Sequence, residues 1–171
     1  MNLDLLLTPQ REHAVNLLNS LYINGVASDQ SETGTGKTLG FGIPVISRVT
    51  GPQSPNWSSY PAAGKPQALI VVPTRELAIQ VASDLERASA NLGLRVACMY
   101  GGRAYEPQIA QLEAGIEVVV GTPGRLLDLA RQRFLDLGHV QALVLDEADE
   151  MLDMGFLPDV EKLVSQLPTN R

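Results

Sequence analysis

The sequence predicts an α/β fold, a doubly wound and mostly parallel sheet flanked by helices, and three observations carry that expectation. Continuous apolar runs rich in Val, Ile and Leu recur at residues 68–72, 96–100, 116–120 and 140–145, the pattern of strands buried on both faces. Between the first two runs, Leu77, Val81, Leu85, Ala88 and Leu92 recur every three or four residues and stop at Gly93, the period of a helix laid against a core. The glycine-rich stretch Ser31-Glu32-Thr33-Gly34-Thr35-Gly36-Lys37-Thr38 has the form of a turn leading from a strand into a helix around a phosphate group. Strand alternating with helix is the mark of a parallel sheet covered on both sides.

The remaining elements follow in chain order. Residues 26–30, weakly apolar, stand where a strand would enter the glycine-rich turn. Residues 51–67 are rich in Pro, Gly and Ser and have no period, so they read as a surface loop after which the alternation resumes. Thr122 followed by Pro123 reads as an N-cap with proline at the first helical position, predicting a helix from Gly124 to about Arg131.

At 171 residues the chain fits one domain with a substantial core. Lys and Arg number 13 against 19 Asp and Glu, a net charge of -6, so the chain as a whole repels polyanions and any nucleic-acid contact must be local. Cys98 is the only cysteine, which excludes an internal disulfide and a multi-cysteine zinc site and suits a reducing compartment. The apolar runs are far shorter than the roughly 20 residues of a membrane helix. No charged-then-apolar leader opens the chain, and a cytoplasmic location is expected.

Two segments carry chemistry. Gly34 and Gly36 let the backbone curl so that successive N–H groups converge on phosphate oxygens, with the following helix adding the positive end of its dipole. Lys37 would reach the β and γ phosphates, and the Thr38 hydroxyl would hold Mg²⁺. Thr33, Gly34, Thr35, Gly36, Lys37 and Thr38 are thus the candidate nucleotide-binding residues. Asp146 and Glu147 directly follow the apolar strand ending Val144-Leu145. A carboxylate there completes a Mg²⁺ site, and its neighbour can activate an attacking water. Either segment alone has a plainer explanation, a glycine turn capping a helix or acids complementing a helix dipole. Together they point to binding of a nucleoside triphosphate with Mg²⁺, with Lys37, Asp146 and Glu147 as the catalytic candidates.

Asp146-Glu147-Ala148-Asp149 spells the tetrapeptide of the DEAD-box RNA helicases, and Glu150-Met151-Leu152-Asp153-Met154-Gly155-Phe156 continues as that family does. Pro73-Thr74-Arg75-Glu76-Leu77-Ala78 resembles its PTRELA segment, Gly101-Gly102 its GG element and Thr122-Pro123-Gly124-Arg125 its TPGR segment, all in family order. The resemblance spans most of the chain from Ser31 to about Pro168. It implies a RecA-like domain, the first of two in an ATP-dependent RNA helicase, using ATP and Mg²⁺ and binding single-stranded or short duplex RNA through its backbone. On that resemblance Thr74 and Thr122 would cap helices whose free N–H groups face RNA phosphates, and Arg75 and Arg125 would add charge there. Gly101 and Gly102 would permit close approach, and Pro73, Pro123 and Gly124 complete the RNA-facing set. Asp149 would couple the nucleotide side to the RNA side. Gln10, in Leu7-Thr8-Pro9-Gln10, would read adenine; it lies further from Lys37 than in the family, and no Phe or Trp precedes it.

The resemblance further implies that residues 1–171 hold one RecA-like domain that stops before its last strand, with the second domain and its arginines absent. Hydrolysis by this chain alone should then be slow and unwinding slight. Two other functions stay open on the residues themselves: a P-loop ATPase or switch domain with no nucleic-acid role, and a non-catalytic RNA-binding module.

Overall fold

The computed structural model describes residues 35–57 and 63–168. Helix α1 (Thr35–Arg48) precedes strand β1 (Ala68–Val71) and α2 (Arg75–Ala88), followed by β2 (Val96–Met99), α3 (Tyr105–Glu113), β3 (Val118–Gly121) and α4 (Pro123–Arg131). Strand β4 (Ala142–Leu145), α5 (Ala148–Asp153) and α6 (Leu157–Ser165) complete the described elements. The four strands form one sheet in the order β2-β3-β1-β4, and every pairing is parallel. The fold is the α/β, parallel and helix-flanked arrangement expected from the alternation of runs and periods. Among the described residues no helix is long and apolar enough to cross a membrane.

Alternation along each strand divides the core into two layers. Leu69 and Val71 of β1, Met99 of β2 and Val119 of β3 face Leu112 of α3, Leu126 and Leu129 of α4, and Leu163 of α6. Ala68 and Ile70 of β1 with Val118 and Val120 of β3 face Phe41 and Val45 of α1 and Ala78, Val81 and Leu85 of α2. All four residues of β1 and of β3 are buried, so both faces demand apolar side chains and the run reads as continuous. In β4 only Ala142 is buried while Leu143, Val144 and Leu145 are half-buried, because among the described strands β4 is bonded on one side only.

Local signals explain the helix ends. Thr74 Oγ1 accepts from the Leu77 N–H at 3.2 Å at the start of α2, an ordinary N-cap. The period expected to run to Gly93 is interrupted at Ser89, whose hydroxyl donates to Leu85 O at 2.7 Å. A short 3₁₀ turn over Ala90–Leu92 carries the chain to Gly93 in the left-handed conformation at φ 66°. Helix α4 begins at Pro123 as the Thr122-Pro123 pair predicts. Helix α3 was not foreseen: it has no periodic apolar stripe, burying Gln108 and Leu112.

The amino-terminal edge of the sheet is tied by polar side chains. Glu117, 1% exposed, accepts from the Arg95 backbone N–H at 2.6 Å and from its guanidinium, while Arg95 also lies over the Trp57 ring at 5.3 Å. Gln67, at the inner end of the 51–67 loop, accepts from Thr50 N and donates to Thr50 O, each at 2.8 Å. Polar residues inside otherwise apolar runs thus serve as anchors with their bonds made.

Two outcomes are expected. Arg95→Met leaves the Glu117 carboxylate buried without its cation and should lower unfolding free energy by about 3 kcal/mol, whereas Arg95→Met with Glu117→Leu should recover much of the loss; urea unfolding at pH 7 reads both. The Cys98 thiol is pushed up to about 11, chiefly by burial. At pH 8 iodoacetamide should therefore label it about two orders of magnitude more slowly than a free cysteine, the rate rising as the pH approaches 11; labelling at the free-thiol rate would contradict this.

Candidate functional site

The parallel register determines where polar chemistry can begin. Val71 at the end of β1 pairs with Gly121 on one side and Leu145 on the other, and Gly121 pairs with Met99, so all four strands end at one level. Backbone bonds continue the alignment one residue further: Val72 N to Gly121 O, Thr122 N to Met99 O and Asp146 N to Val71 O, each 3.0 Å. The segments that follow, 72–75, 100–103, 122–125 and 146–149, therefore emerge side by side at the carboxyl edge, the usual ligand edge of an open α/β sheet.

Among the residues expected on the nucleotide side, Thr35, Gly36, Lys37 and Thr38 open the described part of α1. The first turn of a helix leaves its N–H groups without helical partners and stands at the positive end of the dipole. Gln10, Thr33 and Gly34 lie outside the described residues, as do the side chains of Thr35 and Lys37. Thr38 is buried at 5% exposure and Asp146 at 6%, two hard oxygen donors of the kind Mg²⁺ takes alongside phosphate and water. Helix α1 packs against β4, whose carboxyl end carries Asp146. Glu147 is left-handed at φ 53°, ψ 46°, a conformation costing about 1–2 kcal/mol in a residue with a Cβ. It precedes α5 yet makes no side-chain cap bond to it, so capping does not account for its carboxylate. Asp149 is exposed in the first turn of α5.

On the other side, Pro73 is buried and Thr74 half-buried behind the exposed Arg75. Arg75 Nε donates to Glu76 Oε1 at 2.7 Å. That hydrogen bond raises the Arg75 pKa and lowers that of Glu76. Gly101 and Gly102 are exposed. Gly102 is left-handed at φ 76°, and a Cβ there would lie 4.0 Å from Arg75 Nη1, which places Arg75 beside the glycine pair. Thr122 caps α4 in position without a side-chain bond, over a buried Pro123. Gly124 is exposed, with open space where a Cβ would be.

Arg125 departs from the expectation that it adds charge to this surface beside Arg75. Its side chain is 8% exposed. The guanidinium lies 3.8 Å from the Tyr105 ring centroid, and Nη2 donates to Arg103 O at 3.0 Å. An aromatic face and a carbonyl beneath the loop hold it inward. Arg103, which the sequence motifs do not single out, is with Arg75 an exposed cation at this spot, its Nη1 donating to Tyr100 Oη at 3.0 Å. Its position directly after Gly101-Gly102 was the available signal.

The family model for the DEAD/DEAH box helicase matches residues 8–171. The chain is 45% identical over 142 residues to the DEAD-box ATP-dependent RNA helicase CshA of Streptococcus pneumoniae, covering 83% of this chain and 25% of that protein. It is 43% identical over 152 residues to the ATP-dependent RNA helicase RhlB of Shewanella frigidimarina, covering 89% and 33%. The chain thus spans between a quarter and a third of the length of these relatives. Among solved structures, the yeast DEAD-box splicing factor Prp28 aligns with TM-score 0.69 and 35% identity, covering 80% of this chain and 31% of that one. A hypothetical ATP-dependent RNA helicase from Sulfolobus tokodaii aligns with TM-score 0.66 and 29% identity, covering 91% and 46%. With the four-residue acidic segment at the end of β4 and a match over nearly its whole length, the chain belongs to the DEAD/DEAH box helicase family.

Proposed function

We propose that this chain is the first RecA-like domain of an ATP-dependent RNA helicase, binding ATP with Mg²⁺ on one side of the carboxyl edge and the backbone of single-stranded or short duplex RNA on the other. The observation that carries the proposal is the common level at which the four strands end, which sets Asp146 and Glu147 and the Thr74, Gly101-Gly102 and Thr122 segments along one edge. In this reading Gln10 reads adenine, and Thr33, Gly34, Thr35, Gly36 and Lys37 bind the phosphates. Thr38 and Asp146 hold Mg²⁺, which would neutralise charge on the phosphate oxygens. Glu147 orients and deprotonates the attacking water.

The RNA side works by backbone complementarity. Thr74 and Thr122 start helices whose free N–H groups suit phosphates, while Pro73, Pro123 and Gly124 shape the approach and Gly101 and Gly102 leave room for the strand. Such contacts carry little sequence information, so affinity depends on salt more than on base identity. Asp149, exposed beside both sides, couples them. We further take residues 1–171 as one RecA-like unit. A second RecA-like domain would complete the ATP site and permit coupled unwinding. A cytoplasmic protein fits the lone, unpaired Cys98. The Arg75–Glu76 pair and the inward Arg125 also suit a P-loop ATPase that never meets RNA, and RNA titration separates the two.

Equilibrium titration with ATP, ADP and GTP in Mg²⁺ tests the nucleotide side. Lys37→Ala should weaken ATP binding at least about tenfold and Gln10→Ala should narrow the preference for adenine; a folded chain that binds no nucleotide overturns the assignment. Glu147→Gln should leave ATP binding intact while lowering hydrolysis about 10²–10⁴-fold in a protein carrying both domains. Glu76→Gln should free Arg75 and raise affinity for a single-stranded oligonucleotide about two- to threefold at low salt, read by fluorescence anisotropy. Absence of any salt-dependent RNA binding would favour the ATPase without RNA.

A further inference from the structure

Residues 100–104 form the loop that presents Gly101 and Gly102, and two buried side chains hold its two ends. At one end Gln108, 3% exposed, donates from Nε2 to Tyr100 O at 3.0 Å. At the other end Arg125 Nη2 donates to Arg103 O at 3.0 Å. The Arg125 guanidinium carbon in turn lies over the Tyr105 ring, 3.8 Å from its centroid, and the Tyr105 hydroxyl donates to Asp128 Oδ2 at 3.0 Å. Donation from the phenol to a carboxylate makes the ring more electron-rich, which strengthens its hold on the guanidinium. Asp128 lies three positions after Arg125 on α4, so cation, ring and carboxylate form a closed unit between α3 and α4. This unit is kept at a polar cost, since Arg125 Nη1 and Gln108 Oε1 are buried without a hydrogen-bond partner. A surface arginine would avoid that cost by turning outward.

From this geometry we infer that Arg125 is a positioning residue, holding the Arg103 carbonyl from its seat over the Tyr105 ring so that Gly101 and Gly102 present their backbone to RNA, and that it does not itself touch phosphate. The inference rests on the RNA interface proposed above and assigns a different job to one of its residues. Gly102 needs its left-handed backbone beside Arg75, and a loop pinned at both carbonyls keeps that turn without paying ordering entropy at each binding event. A guanidinium is required for this work. Lysine keeps the charge but has no planar fork to lie on a ring while donating sideways.

The test uses the 171-residue chain in two arms. Without RNA, trypsin cleavage of the Arg103–Ala104 bond is followed by mass spectrometry, with cleavage after Arg87 in α2 as the control for global unfolding. With RNA, affinity for a single-stranded oligonucleotide is measured across a salt series. Arg125→Gln and Arg125→Lys should each speed cleavage at Arg103 about tenfold with the Arg87 control unchanged. Both should weaken RNA binding without changing its salt slope, and Tyr105→Leu, which removes no charge, should do the same. A slope reduced by about 0.7 in Arg125→Gln, preserved affinity in Arg125→Lys and unchanged cleavage would show direct phosphate contact and overturn the inference. If the Arg125 variants fail to fold, Tyr105→Leu and Gln108→Leu decide it by the same cleavage ratio. If the unaltered chain shows no salt-dependent RNA binding, the interface itself falls. Cleavage then stands alone: faster cutting keeps the clamp on the loop, and an unchanged rate removes it.

Discussion

The structure depends on one constraint, the in-register parallel ladder of strands buried on both faces. The residues of β1 and β3 are apolar or glycine because both faces of these strands are covered by core layers and all eight are buried, so a polar side chain there would lie in a dry interior. Polar chemistry is therefore excluded along the strands and can begin only where they stop. Because Val71, Met99, Gly121 and Leu145 stop together, the first polar residue after each strand meets the others at one edge. The site is in this sense a by-product of the core.

The turn into α5 shows the cost of such placement. Asp146 continues the ladder through its N–H to Val71 O and is buried, while the helix begins at Ala148. One residue must reverse the chain, and that residue is Glu147 in the left-handed conformation. Glycine would adopt it freely, and asparagine or aspartate more readily than glutamate. Retaining a glutamate at a strained turn fits selection for its carboxylate over stability, a pattern common where strain gathers at functional positions.

Much of this was legible in the sequence because burial writes itself into composition. The runs at 68–72, 96–100 and 140–145 match β1, β2 and β4 within two residues at either end. The run at 116–120 lies two residues early at its start because Ile116 and Glu117 belong to the approach, where Glu117 anchors Arg95. Thr122-Pro123 revealed α4 through cap chemistry alone. Helix α3 escaped because it buries a glutamine where an apolar period would be expected, and its N-cap Ala104 has no capping side chain. The inward turn of Arg125 escaped for a related reason: a motif states which residue stands at a position, not which way its side chain points. Only the partners Tyr105 and Arg103, more than a strand away in sequence, decide that. Gln10 and the stretch 26–30 lie outside the described residues.

A domain of net charge -6 can bind a polyanion, as proposed for this one, only without a general attractive field. At the edge proposed to face RNA, Arg75 is exposed beside the glycine pair but shares its charge with Glu76, Arg125 is turned inward, and Arg103 is the second exposed cation there. On the proposed reading, phosphate would be attracted chiefly by the free N–H groups at the starts of α2 and α4, partial charges fixed in direction by the fold. Such donors act within the first turn and are useless if displaced, whereas a long arginine can follow its target. An interface built on them gains affinity only from exact placement of backbone, so side chains that fix backbone count for more than side chains that carry charge. On the same reading RNA binding would respond to domain movement, since shifting the loop after β2 relative to α4 would break several weak, directional contacts at once.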